Sequence, residues 1–181
     1  MTKPGYDIER SKTLSYLLRH NPAKFGLTLD AQGWCRVDDL LSAFERRNLE
    51  LSREMLEHVV ESNDKKRFAF SEDGTKIRAN QGHSLEVDLD YRPAQPPALL
   101  YHGTADRFLN SILEQGLQKR RRHHVHLSPD VETALKVGQR HGKPVVLTVQ
   151  AGRMYADGHV FYCSANGVWL TDEAPPRYIN I

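Results

Sequence analysis

The stretch Arg67-Phe68-Ala69-Phe70-Ser71-Glu72-Asp73-Gly74-Thr75-Lys76-Ile77-Arg78-Ala79 decides how the first half of this chain folds. Phe68 and Phe70 alternate with small or polar residues, the period of a half-buried strand. Asp73-Gly74 is a dipeptide that reverses a chain in a two-residue hairpin turn, and Ile77 continues on the returning strand. Upstream the period changes. Leu14, Leu17 and Leu18 recur at helical spacing, and their helix must end near Asn21, because the residue before Pro22 is pushed out of the helical region. Arg19 and His20 therefore occupy its last turn.

A short apolar stretch, Trp34 to Val37, leads to a second helix from about Asp38 with Leu40, Leu41 and Phe44 on one face. Ser52 is placed to cap a third helix carrying Met55, Leu56, Val59 and Val60. Three helices closed by a hairpin predict a winged-helix module over residues 1–80. A polar stretch with Pro93, Pro96 and Pro97 near its end follows, a linker over 81–98. Strand signals dominate 99–181: Leu99 to His102, Val125 to Ser128, Val145 to Val149, Val160 to Cys163, Val168 to Thr171 and Tyr178 to Ile181, with a hairpin around Asn166-Gly167. Helices are expected from Ala105 to Leu113 and after Ser128, with Ser128 as cap and Pro129 in the first turn. The fold class is α+β, in two lobes.

Composition narrows the function. With 39% apolar and 27% charged residues in 181, the chain is an ordinary globular protein. No apolar run approaches the roughly 20 residues that cross a bilayer, and Met1 to Lys12 has no apolar block, so a cytoplasmic location is expected. Cys35 and Cys163 are too few and too far apart for a disulfide framework or a paired zinc site. A net charge of +2 conceals two basic runs, Lys65-Lys66-Arg67 and Lys119-Arg120-Arg121-Arg122. Each leads into a predicted strand, which holds its last arginine in place.

Several residues carry possible chemistry. Arg19 and His20 can flank a small anion lying across a helix end, or simply answer the helix dipole. Arg67 and Arg122 can hold an anion or be the exposed first residues of their strands. In Tyr101-His102-Gly103-Thr104, a strand ends in a histidine, a glycine permits close backbone approach, and a hydroxyl residue stands at a helix cap, a compact site for ribose or phosphate. His124 and His126 share one strand face, but that strand has no Asp, Glu or Cys to complete a metal site, and His126 is expected to be structural. No GxGxxG or P-loop occurs, so a dinucleotide would bind outside a Rossmann fold.

Taken in order, Leu17-Leu18-Arg19-His20, Arg67-Phe68, Ile77-Arg78-Ala79-Asn80-Gln81-Gly82-His83-Ser84, His102-Gly103-Thr104, Arg122 with Val125-His126-Leu127-Ser128, and Gly167-Val168-Trp169-Leu170 resemble the NAD-dependent RNA (tRNA) 2′-phosphotransferases over nearly the whole chain. The resemblance implies a winged-helix RNA lobe and an ADP-ribosyltransferase-like lobe that binds NAD. It implies a reaction in two steps: an RNA 2′-phosphate attacks the nicotinamide ribose to give ADP-ribosylated RNA and nicotinamide, and the ribose 2″-hydroxyl then attacks phosphorus. The products are 2′-hydroxyl RNA and ADP-ribose 1″,2″-cyclic phosphate. The family's Arg-His-Arg-Arg set falls on Arg19, His20, Arg67 and Arg122, with Arg120 and Arg121 as neighbouring alternatives for the last. His102, Gly103, Thr104 and Ser128 fall on the NAD-binding positions. Three arginines around one phosphate imply metal-independent chemistry. The expected partners are NAD and a 2′-phosphorylated RNA, with no membrane and a monomer as the default. The competing readings are an ADP-ribosyltransferase acting on protein or nucleic-acid ends and a winged-helix regulator.

Overall fold

A computed structural model of the chain describes residues 4–181. It is mixed α and β, and every strand pairing is antiparallel. The chain divides into two compact units, Met1–Asp90 and Tyr91–Ile181.

The first unit opens with α1 (Pro4–Arg19), followed by a 3-10 turn, Pro22–Phe25. Leu14, Leu17 and Leu18 are completely buried, as their spacing predicts. The helix stops at Arg19 and His20 stands in the turn just beyond it. The amides of His20 and Asn21 still reach the Tyr16 carbonyl, at 3.0 and 3.1 Å. Strand β1 (Cys35–Arg36) leads directly into α2 (Val37–Glu45), and Ser52 caps α3 (Arg53–Glu61) by accepting from the Met55 amide at 3.2 Å. Then β2 (Phe68–Phe70) pairs with β3 (Lys76–Ala79), Phe68 opposite Ala79 and Phe70 opposite Ile77. β1 joins the other edge of β3, so the sheet order is β1-β3-β2. The hairpin turn is longer than two residues: Ser71 N–H still bonds the Lys76 carbonyl, and Glu72 to Thr75 make the reversal. Asp73 organises it, accepting from the Ser71 and Thr75 hydroxyls and the Thr75 amide, and these bonds pull its carboxyl down to about 2. Cys35, Val37, Leu40, Phe44, Leu56, Val59, Phe68 and Ile77 complete one core with the α1 leucines.

In the second unit β4 (Leu100–Ala105) pairs along its length with β7 (Pro144–Val149), and β11 (Ile179–Asn180) takes the other edge of β7. Between them run α4 (Leu109–Gln115), β5 (Leu117–Gln118), β6 (Val125–Leu127) and α5 (Val131–Gly138). After β7 come α6 (Ala151–Ala156), which the strand-dominated pattern did not signal, then β8 (Phe161–Cys163), β9 (Trp169–Thr171) and β10 (Glu173–Ala174). β6, β9 and β8 form a second three-stranded sheet, with β8 and β9 joined by the expected hairpin around Gly167, and β10 pairs with β5. Leu100, Leu127, Leu147, Val149, Met154, Phe161 and Tyr178 lie in its core.

Two expected caps are corrected. Thr104 is no helix cap but an interior residue of β4, 5% exposed, because the strand runs on to Ala105 before the chain turns. Ser128 does not cap α5 either. Asp130 does, accepting from the Thr133 amide at 2.7 Å, a better acceptor two residues closer to the first helical turn. Ser128 instead exchanges two backbone hydrogen bonds with Tyr101, at 2.7 and 2.9 Å. The polar stretch 81–98 divides between the units. Asp88 N–H bonds the Ala31 carbonyl in the first, while Pro93 bridges to Tyr162 and Ala94 N–H bonds the Phe161 carbonyl in the second.

Candidate active site

In the first unit three of the expected residues converge on one short segment, 80–84. Asn80 N–H donates to the Arg67 carbonyl at 2.9 Å, and its buried side-chain amide donates to the Lys66 carbonyl at 2.6 Å. At the other end Ser84 N–H donates to the Arg19 carbonyl at 2.9 Å. The Ser84 hydroxyl lies 2.9 Å from His20 Nδ1 and 3.5 Å from the Arg19 carbonyl. Between them Gly82, at φ +86°, lets the chain pass the Arg19 side chain: a Cβ built there would stand 3.6 Å from Nη1. His83 is 2% exposed and anchors the segment in the unit.

Elementary packing explains this arrangement. The buried leucines fix the axis of α1, so Arg19 leaves the helix at a defined height, and the β2–β3 register sets Arg67 across from Asn80. Arg67 is further held by its Nη1 donating to Asn63 Oδ1 at 3.1 Å. The Arg19 guanidinium and the His20 imidazole are thus mounted beside this five-residue stretch, and the Arg67 main chain is pinned to its first residue. A forked guanidinium holds the oxygens of a phosphate in two directions at once, which an ammonium cannot do.

The second unit brings together His102, His126 and Arg122. His102 Nδ1 lies 3.0 Å from the His126 carbonyl, and His126 Nδ1 lies 3.3 Å from Arg122 Nη1. A carbonyl only accepts, so His102 carries its proton on Nδ1 and presents the Nε2 lone pair. Burial pushes the His102 imidazole below its ordinary value against the favourable bond to the carbonyl, and the Arg122 and His141 charges push it the same way. Burial therefore favours the neutral ring, and the carbonyl sets its tautomer. Arg122 itself is exposed and stands in a turn, its amide bonded to the Lys119 carbonyl at 2.9 Å, two residues after Arg120 at φ +51°.

Gly103 has a reason of its own. A Cβ there would lie 1.7 Å from the Ala134 carbonyl oxygen, so the glycine is what lets α5 pack flat on β4. Ser128, through its bridge to Tyr101, holds β6 beside the residue preceding His102. Two participants carried no separate signal in the sequence. Ser84 was one letter of a longer motif, and His126 read as structural, although its alternation against buried Val125 and Leu127 already turned it to the other face of β6. Among the described residues no group of three or more His, Cys, Asp or Glu is arranged to hold a metal ion. No described helix is long and apolar enough to cross a membrane.

Arginine and histidine side chains so placed can hold an anion and exchange protons. The family model described as RNA 2′-phosphotransferase, Tpt1 / KptA family, matches residues 6–173. This chain belongs to that family. It is 55% identical to a probable RNA 2′-phosphotransferase of Flavobacterium johnsoniae, over 93% of each chain. Proteins of the same description from Trichormus variabilis and Agrobacterium fabrum are 55% and 56% identical, covering 96% and 94% of this chain and 96% and 92% of their own. The family's shared length therefore takes in both units and every residue of the two clusters.

Proposed function

We propose that this protein is an RNA 2′-phosphotransferase that moves the 2′-phosphate of a 2′-phosphorylated RNA onto NAD, by way of ADP-ribosylated RNA, and yields 2′-hydroxyl RNA, nicotinamide and ADP-ribose 1″,2″-cyclic phosphate. The observation that carries this reading is the convergence of Arg19, His20 and Arg67 on residues 80–84 in a chain of this family. The α1-β1-α2-α3-β2-β3 order, with β1 on the far edge of the hairpin, supports a winged-helix reading of the first unit. The exposed face of its third helix carries Glu54 and Glu61, and its hairpin tip Glu72 and Asp73, charges that do not suit a duplex-DNA reader. The second unit is read as the ADP-ribosyltransferase-like lobe.

The donor set fits NAD as co-substrate. His102 would hold a ribose hydroxyl of NAD through its Nε2 lone pair, with Gly103, Thr104 and Ser128 at the neighbouring positions of β4 and beyond the end of β6. NAD supplies the electrophilic ribose carbon and the 2″-hydroxyl. The remaining work belongs to this chain. The first nucleophile is already an anion, so Arg19 and Arg67 need only aim it and no base has to create it. In the second step negative charge grows on phosphorus, and arginines of this set stabilise such charge as metal ions do in other phosphoryl transfers. His20 is the proton-exchanging group. With the Ser84 hydroxyl donating to the Arg19 carbonyl, its oxygen accepts from Nδ1–H of His20, and Nε2 is the nitrogen that takes the hydroxyl proton.

Incubating the protein with NAD and a 2′-phosphorylated oligonucleotide in EDTA tests this directly. Cyclic phosphate and 2′-hydroxyl RNA are expected. A stable ADP-ribosylated RNA as end product would make it a plain ADP-ribosyltransferase, no reaction even with added magnesium would refute the enzyme, and activity restored only by magnesium would refute metal independence.

A further inference from the structure

Arg122 presents a problem of placement. It is exposed, it lies in a turn rather than in a strand, and an arginine side chain on such a site has many rotamers. A group meant to stabilise charge at one point must be aimed before the charge forms. A contact that can aim it is made to His126. A guanidinium has donors only, so at the 3.3 Å approach of Nη1 to Nδ1 the imidazole is the acceptor, neutral and protonated on Nε2. His126 is itself well fixed. Its neighbours Val125 and Leu127 are buried, and it stands opposite Leu170 in the β6–β9 ladder.

The same residue also serves His102, by a different atom. The His126 main-chain carbonyl holds His102 Nδ1 at 3.0 Å, while the His126 ring holds Arg122. One position of β6 thus sets the distance between the group assigned to NAD and an arginine assigned to phosphorus.

We infer that His126 is a positioning residue for Arg122, acting in the phosphoryl-transfer step and not in the attack that opens the reaction. This rests on the reading of Arg122 given above. Because the bond to His102 is made by the backbone, side-chain changes at 126 spare it. Those changes therefore separate the two services.

Single-turnover reactions of the full chain with NAD and an end-labelled 2′-phosphorylated oligonucleotide resolve the two steps. His126→Ala should form ADP-ribosylated RNA at the wild-type rate and consume it about 10- to 100-fold more slowly, the scale of a misplaced catalytic group. His126→Asn puts a carbonyl oxygen where Nδ1 stands and should restore most of the second step, whereas His126→Gln puts its amide one atom too far and should not. Adding His126→Ala to Arg122→Ala should cost little beyond Arg122→Ala alone, since the positioned group is already gone. Wild-type consumption of the intermediate by His126→Ala, equal rates for the Asn and Gln variants, or fully additive losses in the double variant would each overturn the inference. If His126→Ala does not fold, the Asn and Gln pair decides alone. Absence of both products with the wild-type protein would instead refute the functional reading itself.

Discussion

The two units hold their cations in opposite ways. In the first, Arg19 ends α1 and Arg67 immediately precedes β2, elements with buried cores, and the carbonyls of both are bonded to the 80–84 segment, so backbone geometry delivers the side chains. In the second, Arg122 stands in an exposed turn with its guanidinium 3.3 Å from the His126 ring, the contact inferred to aim it. The difference separates scaffold from aim. Damage near Arg19 or Arg67 threatens the local fold, whereas Arg122 can be disturbed with the fold intact.

The largest effect expected from this contrast is kinetic. Arg67→Ala and Arg122→Ala should each slow consumption of ADP-ribosylated RNA by about 10²- to 10³-fold, the loss seen when one preorganised donor to a developing charge is removed. They should differ in stability. Arg67→Ala gives up the Nη1 bond to Asn63 and should lower the melting temperature measurably, while Arg122→Ala should leave it unchanged. Full turnover by either variant, followed by release of cyclic phosphate, breaks the assignment of that arginine.

Next come the glycines. Gly103→Ala drives a methyl group into the Ala134 carbonyl, and since neither β4 nor α5 can retreat without disturbing its neighbours, a loss of about 3 kcal/mol is expected. Gly82→Ala has room, its nearest neighbours being Arg19 atoms at 3.6 to 3.7 Å, but its φ of +86° is one that L-residues resist. About 1–2 kcal/mol is expected there, as a lowered denaturant midpoint. Equal losses at the two sites would mean that α5 is not seated on β4 as described.

Much of this was legible in the sequence for simple reasons. Apolar spacing decided α1 and the hairpin, because Leu14, Leu17, Leu18, Phe68 and Ile77 each have only one way to reach a core. Ser52 was visible as a cap because nothing competed with it. Ser128 misled for the opposite reason: Asp130 lay two residues on, and a carboxylate outbids a hydroxyl for the same amides. Thr104 misled because β4 runs to Ala105, a length set by its pairing with β7 and so by residues far along the chain, Pro144 opposite Ala105 and Val145 opposite Thr104. For the same reason the sequence had no sign of the carbonyl-to-ring bond between His126 and His102, or of Ser84 meeting His20: such contacts are made between strands and segments, and residue types alone do not encode them.

A smaller effect concerns His102 and pH. Burial holds the folded His102 imidazole below its usual value, so as pH falls through about 6.5 the unfolded chain takes up a proton there that the folded chain refuses. The stabilising contribution is present above the unfolded value and is lost as pH falls through the folded one. The KM for NAD should therefore stay level down to about pH 6.5 and rise only below it, because protonation removes the Nε2 acceptor. In His102→Gln that acid-side rise should vanish. A rise that persists in this variant would assign the titration to another group.

The smallest expected effects concern the caps, and they test whether the contrast between the units reaches down to their helices. Ser52 and Asp130 do the same job, each accepting one amide of the first turn, so Ser52→Ala and Asp130→Ala should each cost about 1 kcal/mol. The chain has two tryptophans, Trp34 in the first unit and Trp169 in the second, so a Trp34→Phe background leaves fluorescence that reports the second unit. There, Asp130→Ala should move the unfolding midpoint, since α5 lies against β4 and Trp169 packs on the same core. With both tryptophans present, Ser52→Ala should register through Trp34. Turnover with saturating NAD and RNA should be unaffected by either change, because neither cap touches a side chain given chemistry to do. A cap variant that lost turnover while keeping its midpoint would show that helix position, and not only the aim of Arg122, governs the reaction.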